Sequence, residues 1–206
     1  MSGNRESRID LLRHGACEGG EIYRGSTDVP LSAHGIEQMR TAAARVPDWE
    51  AVVSSPLRRC REFAGELAAA RGLPLTVEDG FREMDFGEWE GRLVQAVWDE
   101  DRERARQFYA DPLNNTPPGG ERVYDAQARA VAAWQSQLAE HAGKRFVLVC
   151  HGGIIRLLLC HFLEMPLSAI ARVKVPYAAL TRLQVYHRDE GDFPVVVSMN
   201  ALETLS

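Results

Sequence analysis

The hydrophobic residues of this chain fall into short runs, separated by longer stretches in which apolar positions recur at helical spacing. The clearest run is FVLVC at 146–150, which is typical of a buried strand. Shorter apolar runs predict further strands at 8–13, 51–53, 75–77, 180–186 and 194–199. We therefore expect six short strands distributed along the whole sequence.

Helical signals occupy most of the intervals between these strands. Ser32 is placed to cap a helix that runs to about Val46, and Gly72 is placed to end a helix that begins near Pro56. The charged stretch 93–109 predicts one amphipathic helix. Two more helices are predicted, over 121–141 and over 152–163.

Strands that alternate with helices predict an α/β fold, a three-layer α/β/α sandwich with a mostly parallel central sheet. No fixed-period repeat and no long linker divides the sequence, so residues 1–206 are expected to form a single domain, with 1–7 as a flexible tail. In such a sheet, ligands bind beyond the carboxyl ends of the strands. Polar side chains at those ends are therefore the first candidates for a site.

The composition limits the classes of partner. A net charge of −5 argues against a nucleic-acid binder, because such proteins need surplus Lys and Arg to displace counterions. The apolar runs are too short to cross a bilayer and the amino end is polar, so a cytoplasmic protein without a membrane partner is expected. The four cysteines show no Cys-x-x-Cys spacing, which argues against a zinc site and structural disulfides. The sequence leaves the oligomeric state open and allows a homodimer.

Two histidines follow predicted strands. His14 comes after the run at 8–13 and His151 after the run at 146–150, and each is followed by a glycine. Glycine lets backbone N–H groups approach a ligand closely, and the helix that begins at Gly152 points its positive end to the same place. One such histidine is more often a satisfied polar residue at a strand end, whereas two in the same setting indicate a functional site.

Arginines and acids complete a set that suits phosphoryl chemistry. Arg13 adjoins His14, and Arg58 and Arg59 lie at the start of the helix after the 51–53 strand. Guanidinium groups bind phosphoryl oxygens bidentately and stay charged at any working pH. An ester leaving group needs a proton, which a carboxylic acid of the FREMDFGEWEG segment could supply. The residues alone do not choose among the candidates, which are Glu83, Asp85, Glu88 and Glu90.

Four segments, in order, resemble the signature segments of the histidine phosphatase (phosphoglycerate mutase-like) superfamily: LLRHG, SSPLRRCRE, REMDFGEWEG and VCHGG. The resemblance spans residues 9–160 approximately. It implies that His14 is the phosphorylated nucleophile and that Glu83 is the proton donor. It also implies that His151 donates a hydrogen bond to the transferring phosphoryl group.

The resemblance assigns the phosphate ligands as well. In the pattern Ser-x-Leu-x-Arg the arginine falls on Arg59, which leaves Arg58 as the more exposed neighbour. Arg13 corresponds to the phosphate clamp of the family. Gly152 is expected to bind phosphate through the positive end of the helix that it begins.

The segment after His14 departs from the family pattern. Where the family often has Glu or Gln, then Thr, and Asn a few residues on, this chain has Ala16, Cys17 and Gly20. Because that asparagine commonly helps to hold the phosphate, its role is expected to fall on the backbone N–H of Gly20 or on Arg24. Further candidates for substrate contact are Tyr23, Trp89 and Glu121.

Within the superfamily, the strings YRGSTDVPLSAHGIEQ and PPGGE look most like α-ribazole phosphatases. This implies a cofactor-free phosphomonoesterase that acts through phosphohistidine on a small phosphorylated metabolite, with α-ribazole 5′-phosphate of cobalamin biosynthesis as the expected substrate. Three alternatives stay open, namely a broad-specificity phosphatase, a phosphoglycerate mutase and a non-catalytic phosphoryl-binding protein. No carboxylate cluster suits a metal ion, so activity is expected to survive a chelator.

Overall fold

The computed structural model describes residues 6–200 as a six-stranded sheet flanked by helices. The strands are β1 (Glu6–Arg13), β2 (Ala51–Ser54), β3 (Leu75–Val77), β4 (Arg145–Cys150), β5 (Leu180–Arg188) and β6 (Gly191–Ser198). The α-helices are α1 (Ala33–Ala44), α2 (Arg58–Arg71), α3 (Val94–Glu100), α4 (Arg102–Ala110), α5 (Val123–Glu140) and α6 (Gly152–Phe162). Short 3-10 segments lie at Asp79–Phe81, Gly87–Trp89 and Leu167–Arg172.

The sheet is parallel over most of its width. Its strand order is β3-β2-β4-β1-β5-β6. The first four of these strands run parallel, whereas β5 is antiparallel to β1 and β6 is antiparallel to β5. The central pair is therefore β4 and β1, whose carboxyl ends lie at the same edge.

Two hydrophobic clusters, one on each face of the sheet, form the core. Side chains alternate between the faces along a strand, so Ile9 and Leu11 of β1 pack with residues of α5 and α6, while Leu12 packs with residues of α1 and α2. β4 alternates in the same way, with Phe146 on one face and Val147 on the other. The predicted three-layer α/β/α sandwich with a mostly parallel sheet is confirmed.

The predicted helix caps are present. The Ser32 hydroxyl accepts a hydrogen bond from the backbone N–H of Gly35 at 3.1 Å, which satisfies one of the free donors at the start of α1. Gly72 ends α2 in the left-handed conformation, at φ 63°. Within residues 6–200, no helix combines the length and the apolar character that crossing a bilayer requires.

The stretch 93–109 is two helices instead of the single helix that its charge pattern predicts. α3 and α4 are separated at Asp101, whose φ of −130° and ψ of 39° lie outside the helical region. The Asp101 carboxylate accepts a hydrogen bond from the indole N–H of Trp89 at 3.2 Å. This tertiary contact holds the aspartate, and aspartate readily exchanges helical hydrogen bonds for side-chain ones.

The amino end enters the sheet earlier than expected. β1 begins at Glu6, inside the segment 1–7 that was expected to be a tail, because Glu6 and Ser7 pair with Tyr186 and Val185 of β5. The rest of that segment, 1–5, lies outside the described residues.

Candidate active site

The two histidines of interest meet at the carboxyl ends of the central strands. The register of β1 and β4 pairs Arg13 with Cys150, so His14 and His151 leave the sheet side by side. The His14 backbone N–H donates to the Cys150 carbonyl oxygen at 3.0 Å. Their imidazole rings are 5.3 Å apart between centroids, at an angle of 61°.

Hydrogen bonding holds His14 in one tautomer. Its Nδ1 lies 2.8 Å from the carbonyl oxygen of Gly15, and because a carbonyl oxygen only accepts, Nδ1 carries the proton. Nε2 therefore keeps its lone pair. Burial, reinforced by the charges of Arg59 and Arg13, holds the pKa of His14 well below the usual 6.5, so the ring is neutral at pH 7.

His151 is fully buried, and both of its ring nitrogens are engaged. Nδ1 accepts a hydrogen bond from Nε of Arg59 at 3.2 Å, so Nε2 carries the proton and donates to Oγ of Ser55 at 2.7 Å. Burial and then the charge of Arg59 hold the pKa of His151 well below 6.5. A phosphoryl oxygen that receives a hydrogen bond from His151 would have to replace Ser55 as the acceptor.

Arg59 is fully buried and directs most of its N–H groups at the protein. Besides the bond to His151, it donates to the carbonyl oxygens of Arg24, Gly25 and Thr27 at 3.1, 2.7 and 2.9 Å. These four bonds leave one of the five guanidinium donors, on Nη1, for a ligand. Arg58, by contrast, is exposed and pairs with Glu62 at 2.7 Å.

Arg13 presents an unsatisfied donor to the site. Its Nη1 donates to the Val175 carbonyl oxygen at 2.5 Å, and its guanidinium carbon lies 4.1 Å from the centre of the Tyr177 ring. Its Nε is buried, has no acceptor among residues 6–200, and lies against Gly152 at the start of α6. A buried guanidinium N–H without an acceptor, beside a helix N-terminus, suits an oxyanion.

Arg24 and Gly20, the two residues predicted to replace the missing asparagine, contact each other. Nη2 of Arg24 donates to the Gly20 carbonyl oxygen at 2.5 Å and to that of Glu18 at 3.0 Å. Nε of Arg24 is buried and has no acceptor within the described residues, and the charge of Arg24 contributes to the lowered pKa of His14. Gly20 is exposed. Of the two, Arg24 is the one whose charge acts on His14.

Glu83 is the acid that reaches the helix end beside His151. Its Oε2 accepts from the Gly153 backbone N–H at 3.0 Å, and its Oε1 accepts from the Met84 N–H at 3.1 Å.

The other candidate acids are engaged elsewhere or exposed. The Glu90 carboxylate accepts hydrogen bonds from the backbone N–H groups of residues 26, 27 and 86. Asp85 accepts from Gly87 N–H at 2.7 Å. Glu88 is exposed.

A cavity of about 200 Å³ opens beside Glu83. Most of its wall is apolar, with three aromatic side chains, Phe86, Phe108 and Tyr109. Arg156 supplies a cation at the same wall. Nε of Arg156 donates to the Val173 carbonyl oxygen at 2.8 Å, while its two terminal nitrogens have no partner within residues 6–200.

Tyr23 and Trp89, predicted as substrate contacts, are instead packed inside the protein. Their relative exposures are 4% and 1%. Their rings lie 5.2 Å apart between centroids, and the Tyr23 hydroxyl hydrogen-bonds that of Tyr109 at 3.1 Å. Burial and this hydrogen bond raise the pKa of Tyr23. Both residues hold the 20–25 loop against the rest of the site without offering a free polar group.

Glu121 is also committed to the protein. Each of its carboxylate oxygens lies 2.7 Å from a nitrogen of Arg129 on α5. The pair is largely buried, with the side chains 16% and 15% exposed. The predicted substrate contact therefore lacks a free carboxylate, because Glu121 neutralises a buried arginine.

Sequence reasoning missed Ser55 as the partner of His151, and it missed Gly153, Arg156 and Tyr177. Two of these had a signal, since Gly153 follows Gly152 in the same motif and Arg156 lies one helical turn later on the same face. Tyr177 had none, because it comes from the irregular segment before β5.

A second chain of hydrogen bonds has the residue types of a hydrolase triad. Oγ of Ser7 lies 2.8 Å from Nε2 of His187, and Nδ1 of His187 lies 2.6 Å from Asp192. Ser7 is fully buried and its oxygen accepts a hydrogen bond from Gly143 N–H. Because the Ser7 oxygen lies inside β1 and is already engaged by His187 and Gly143, this chain ties β1, β5 and β6 together.

The relatives of this chain include two proteins of Mycobacterium tuberculosis. A bifunctional protein of Mycobacterium tuberculosis (strain H37Rv) is 33% identical over 172 residues, which cover 81% of this chain and 47% of that protein. This chain thus spans about half the length of that curated relative. The glucosyl-3-phosphoglycerate phosphatase of the same strain is 33% identical over 176 residues, 80% of this chain and 78% of that protein.

The fold is shared with solved structures. An Escherichia coli K-12 protein provisionally assigned as an α-ribazole-5′-phosphate phosphatase superposes with a TM-score of 0.81 at 25% identity. The superposition covers 95% of this chain and 96% of that one. The model of the histidine phosphatase superfamily (branch 1) matches residues 9–200, nearly the whole described chain. A match of that extent, on a fold that places two histidines at the ends of the central strands, shows that this chain belongs to the histidine phosphatase superfamily.

Proposed function

We propose that this protein hydrolyses phosphomonoesters through a phosphohistidine formed at Nε2 of His14. The observation that carries the proposal is the bond from Nδ1 of His14 to the Gly15 carbonyl oxygen, which leaves Nε2 unprotonated. Two nearby arginines, Arg13 and Arg24, have Nε groups without an acceptor in the described part of the chain. The lowered pKa of His14 keeps its Nε2 nucleophilic at neutral pH.

In the first step, the lone pair of His14 Nε2 attacks phosphorus and the bond from phosphorus to the ester oxygen breaks. Arg13, the free N–H of Arg59 and the N-terminus of α6 at Gly152 stabilise the charge on the other phosphoryl oxygens. The Nε2–H of His151 turns from Ser55 to one of those oxygens. Glu83, in its protonated form, gives its proton to the departing alcohol.

In the second step, water cleaves the phosphohistidine. The Glu83 carboxylate takes a proton from water, the water oxygen bonds to phosphorus, and the bond from phosphorus to Nε2 breaks. Inorganic phosphate leaves, and His14 returns to its neutral form while Glu83 is protonated for the next cycle. The same carboxyl group thus serves as acid and then as base.

As the natural substrate we propose α-ribazole 5′-phosphate, which would give the protein a role in cobalamin biosynthesis. α-Ribazole is the riboside of a methylated benzimidazole, a flat and mostly apolar ring. The cavity beside Glu83 suits such a ring, since Phe86, Phe108 and Tyr109 line it. The structural likeness to the Escherichia coli protein supports the same substrate.

A second candidate substrate class is a phosphorylated carboxylic acid such as glucosyl-3-phosphoglycerate. Arg156 favours it, because two guanidinium nitrogens without a partner among residues 6–200, at a mostly apolar wall, suit a carboxylate. The Mycobacterium tuberculosis relative named for that substrate supports it as well.

The deciding experiment measures kcat/KM for α-ribazole 5′-phosphate, glucosyl-3-phosphoglycerate, 3-phosphoglycerate, ribose 5-phosphate and p-nitrophenyl phosphate. We expect α-ribazole 5′-phosphate to exceed the others by at least about tenfold, or about 1.4 kcal/mol in the transition state. A preference for the carboxylates supports the second candidate, and similar values throughout indicate a broad-specificity phosphatase. Isomerisation of phosphoglycerate without release of phosphate would indicate a mutase. Absence of turnover on every substrate would contradict the proposed function.

A further inference from the structure

Arg129 is satisfied at all five of its N–H groups. Nε and Nη2 pair with the two carboxylate oxygens of Glu121, each at 2.7 Å. The remaining donors go to three backbone carbonyl oxygens, those of Gly80, Arg82 and Glu83 at 2.8, 2.7 and 3.2 Å. A guanidinium with every donor used and most of its surface buried has one defined position.

The segment held by Arg129 is the one that carries Glu83. Gly80 presses against α5 so closely that an added Cβ would lie 2.6 Å from Cβ of Ala133. From the other side, Glu121 N–H donates to the Asp85 carbonyl oxygen at 2.9 Å. The backbone is therefore tied to α5 and to Glu121 immediately before and after Glu83.

We infer that Arg129 and Glu121 are positioning residues, which place the Glu83 carboxyl group against the leaving oxygen. The inference rests on the proposed function, because it gives Glu83 the role of proton donor. We call the Arg129–Glu121 pair the clasp. The clasp fixes the Glu83 backbone, and the Gly153 N–H, which donates to the Glu83 carboxylate at 3.0 Å, fixes the carboxyl end. A donor displaced by about an ångström loses much of its effect, so the clasp contributes to the rate without touching the substrate.

This role predicts a signature that a purely structural role lacks. p-Nitrophenolate departs readily without a proton, whereas the alkoxide of an alkyl phosphate needs one. Loss of the clasp should therefore slow hydrolysis of the alkyl phosphate more than hydrolysis of p-nitrophenyl phosphate. kcat/KM is the right quantity, since it reports the steps up to formation of phosphohistidine, in which the leaving group departs.

The experiment compares Arg129→Met, Glu121→Gln and Glu83→Gln with the unaltered protein, on ribose 5-phosphate and p-nitrophenyl phosphate. Arg71→Met is the matched control. Arg71 likewise sits on a helix and donates to two backbone carbonyl oxygens, at 2.7 and 2.6 Å, but those belong to Val46 and Ala43 on the opposite face of the sheet. Thermal unfolding of each variant shows whether it is folded, and Glu121→Gln retains the test if Arg129→Met does not fold.

We expect Arg129→Met and Glu121→Gln to lower kcat/KM for ribose 5-phosphate by at least about tenfold, and for p-nitrophenyl phosphate by less than about threefold. Arg71→Met should change kcat/KM for both substrates by the same factor. Glu83→Gln should show the selective loss, a larger fall of kcat/KM for ribose 5-phosphate than for p-nitrophenyl phosphate. If Glu83→Gln shows it, but Arg129→Met and Glu121→Gln lower kcat/KM equally for both substrates or for neither, the inference is overturned. If Glu83→Gln lacks the selective loss, the role of Glu83 in the proposed function fails together with the inference.

Discussion

The backbone N–H of Gly153 donates to Oε2 of Glu83 at 3.0 Å, and a Cβ at position 153 would lie 2.3 Å from Oε1. The carboxyl group thus occupies space that only a glycine leaves open. Because Gly153 lies two residues after His151, the candidate proton donor and the second histidine are tied to the same end of α6.

Gly153→Ala is expected to lower activity without lowering stability. The new methyl group displaces the Glu83 carboxyl group, so kcat/KM for an alkyl phosphate should fall at least about tenfold. The clash falls on the far end of a flexible side chain, and alanine favours a helix more than glycine does, so the melting temperature should stay close to that of the unaltered protein. Gly65→Ala is the matched control, since Gly65 lies in α2 with open space around its Cα. Unchanged activity in Gly153→Ala would refute the steric argument.

The pH dependence of kcat/KM should lack an acid limb near pH 6.5. His14 must be neutral to attack, and burial with two neighbouring arginines depresses its pKa well below 6.5. As the pH falls from 7.5 through 6.5, the nucleophile therefore stays unprotonated and the rate should hold. The profile is measured with p-nitrophenyl phosphate and corrected for ionisation of the substrate. A limb centred at or above pH 6.5 that belongs to His14 would contradict this description of the site.

His141 should make the folded state less stable in mild acid. It is 4% exposed, neither ring nitrogen has a partner within residues 6–200, and its ring lies 5.1 Å from that of Phe146. Burial lowers its pKa from 6.5, so below that pH the unfolded chain binds a proton that the folded chain does not. Its contribution to stability is therefore present above pH 6.5 and declines as the pH falls below it.

Replacing His141 with leucine should remove that pH dependence. In urea unfolding, the stability of His141→Leu relative to the unaltered protein should be higher at pH 5.5 than at pH 7.5. His14 and His151 are present in both proteins, so their effects cancel. An equal difference at the two pH values would show that His141 does not titrate as described.

Chelators should leave the activity intact. Within the described part of the chain, no group of three or more His, Cys, Asp or Glu side chains is arranged to hold a metal ion. The proposed mechanism uses guanidinium groups and a helix N-terminus where other phosphatases use metal ions. The test is kcat/KM before and after dialysis against EDTA. Complete loss of activity that added metal restores would contradict the prediction.

The sheet and its two histidines could be predicted because they depend on local patterns. Apolar runs mark β1 and β4, and His14 and His151 are the residues that directly follow them. Parallel neighbours end at one edge of a sheet, so strand order alone brings such residues together. Among the acids from 83 to 90, the residues alone do not single out Glu83. It is distinguished by the family resemblance, or by its contact across the fold with Gly153.

Other features depend on contacts between segments distant in sequence. Arg59 turns most of its donors to the loop at 24–27, and Asp101 breaks a helix by bonding Trp89. Glu121 was predicted to contact substrate, yet Arg129 takes both of its oxygens. A charged residue near a site has many available partners, and its sequence neighbours do not reveal which partner it finds.

The most direct test of the mechanism is detection of the phosphoryl group on His14. The protein and p-nitrophenyl phosphate are mixed, quenched in base, digested and examined by mass spectrometry. We expect one acid-labile phosphoryl group on the peptide that contains His14, more of it in Glu83→Gln because water attack loses its base, and none in His14→Ala, which should be inactive. Normal turnover by His14→Ala, or a phosphoryl group on another residue, would contradict the proposed mechanism.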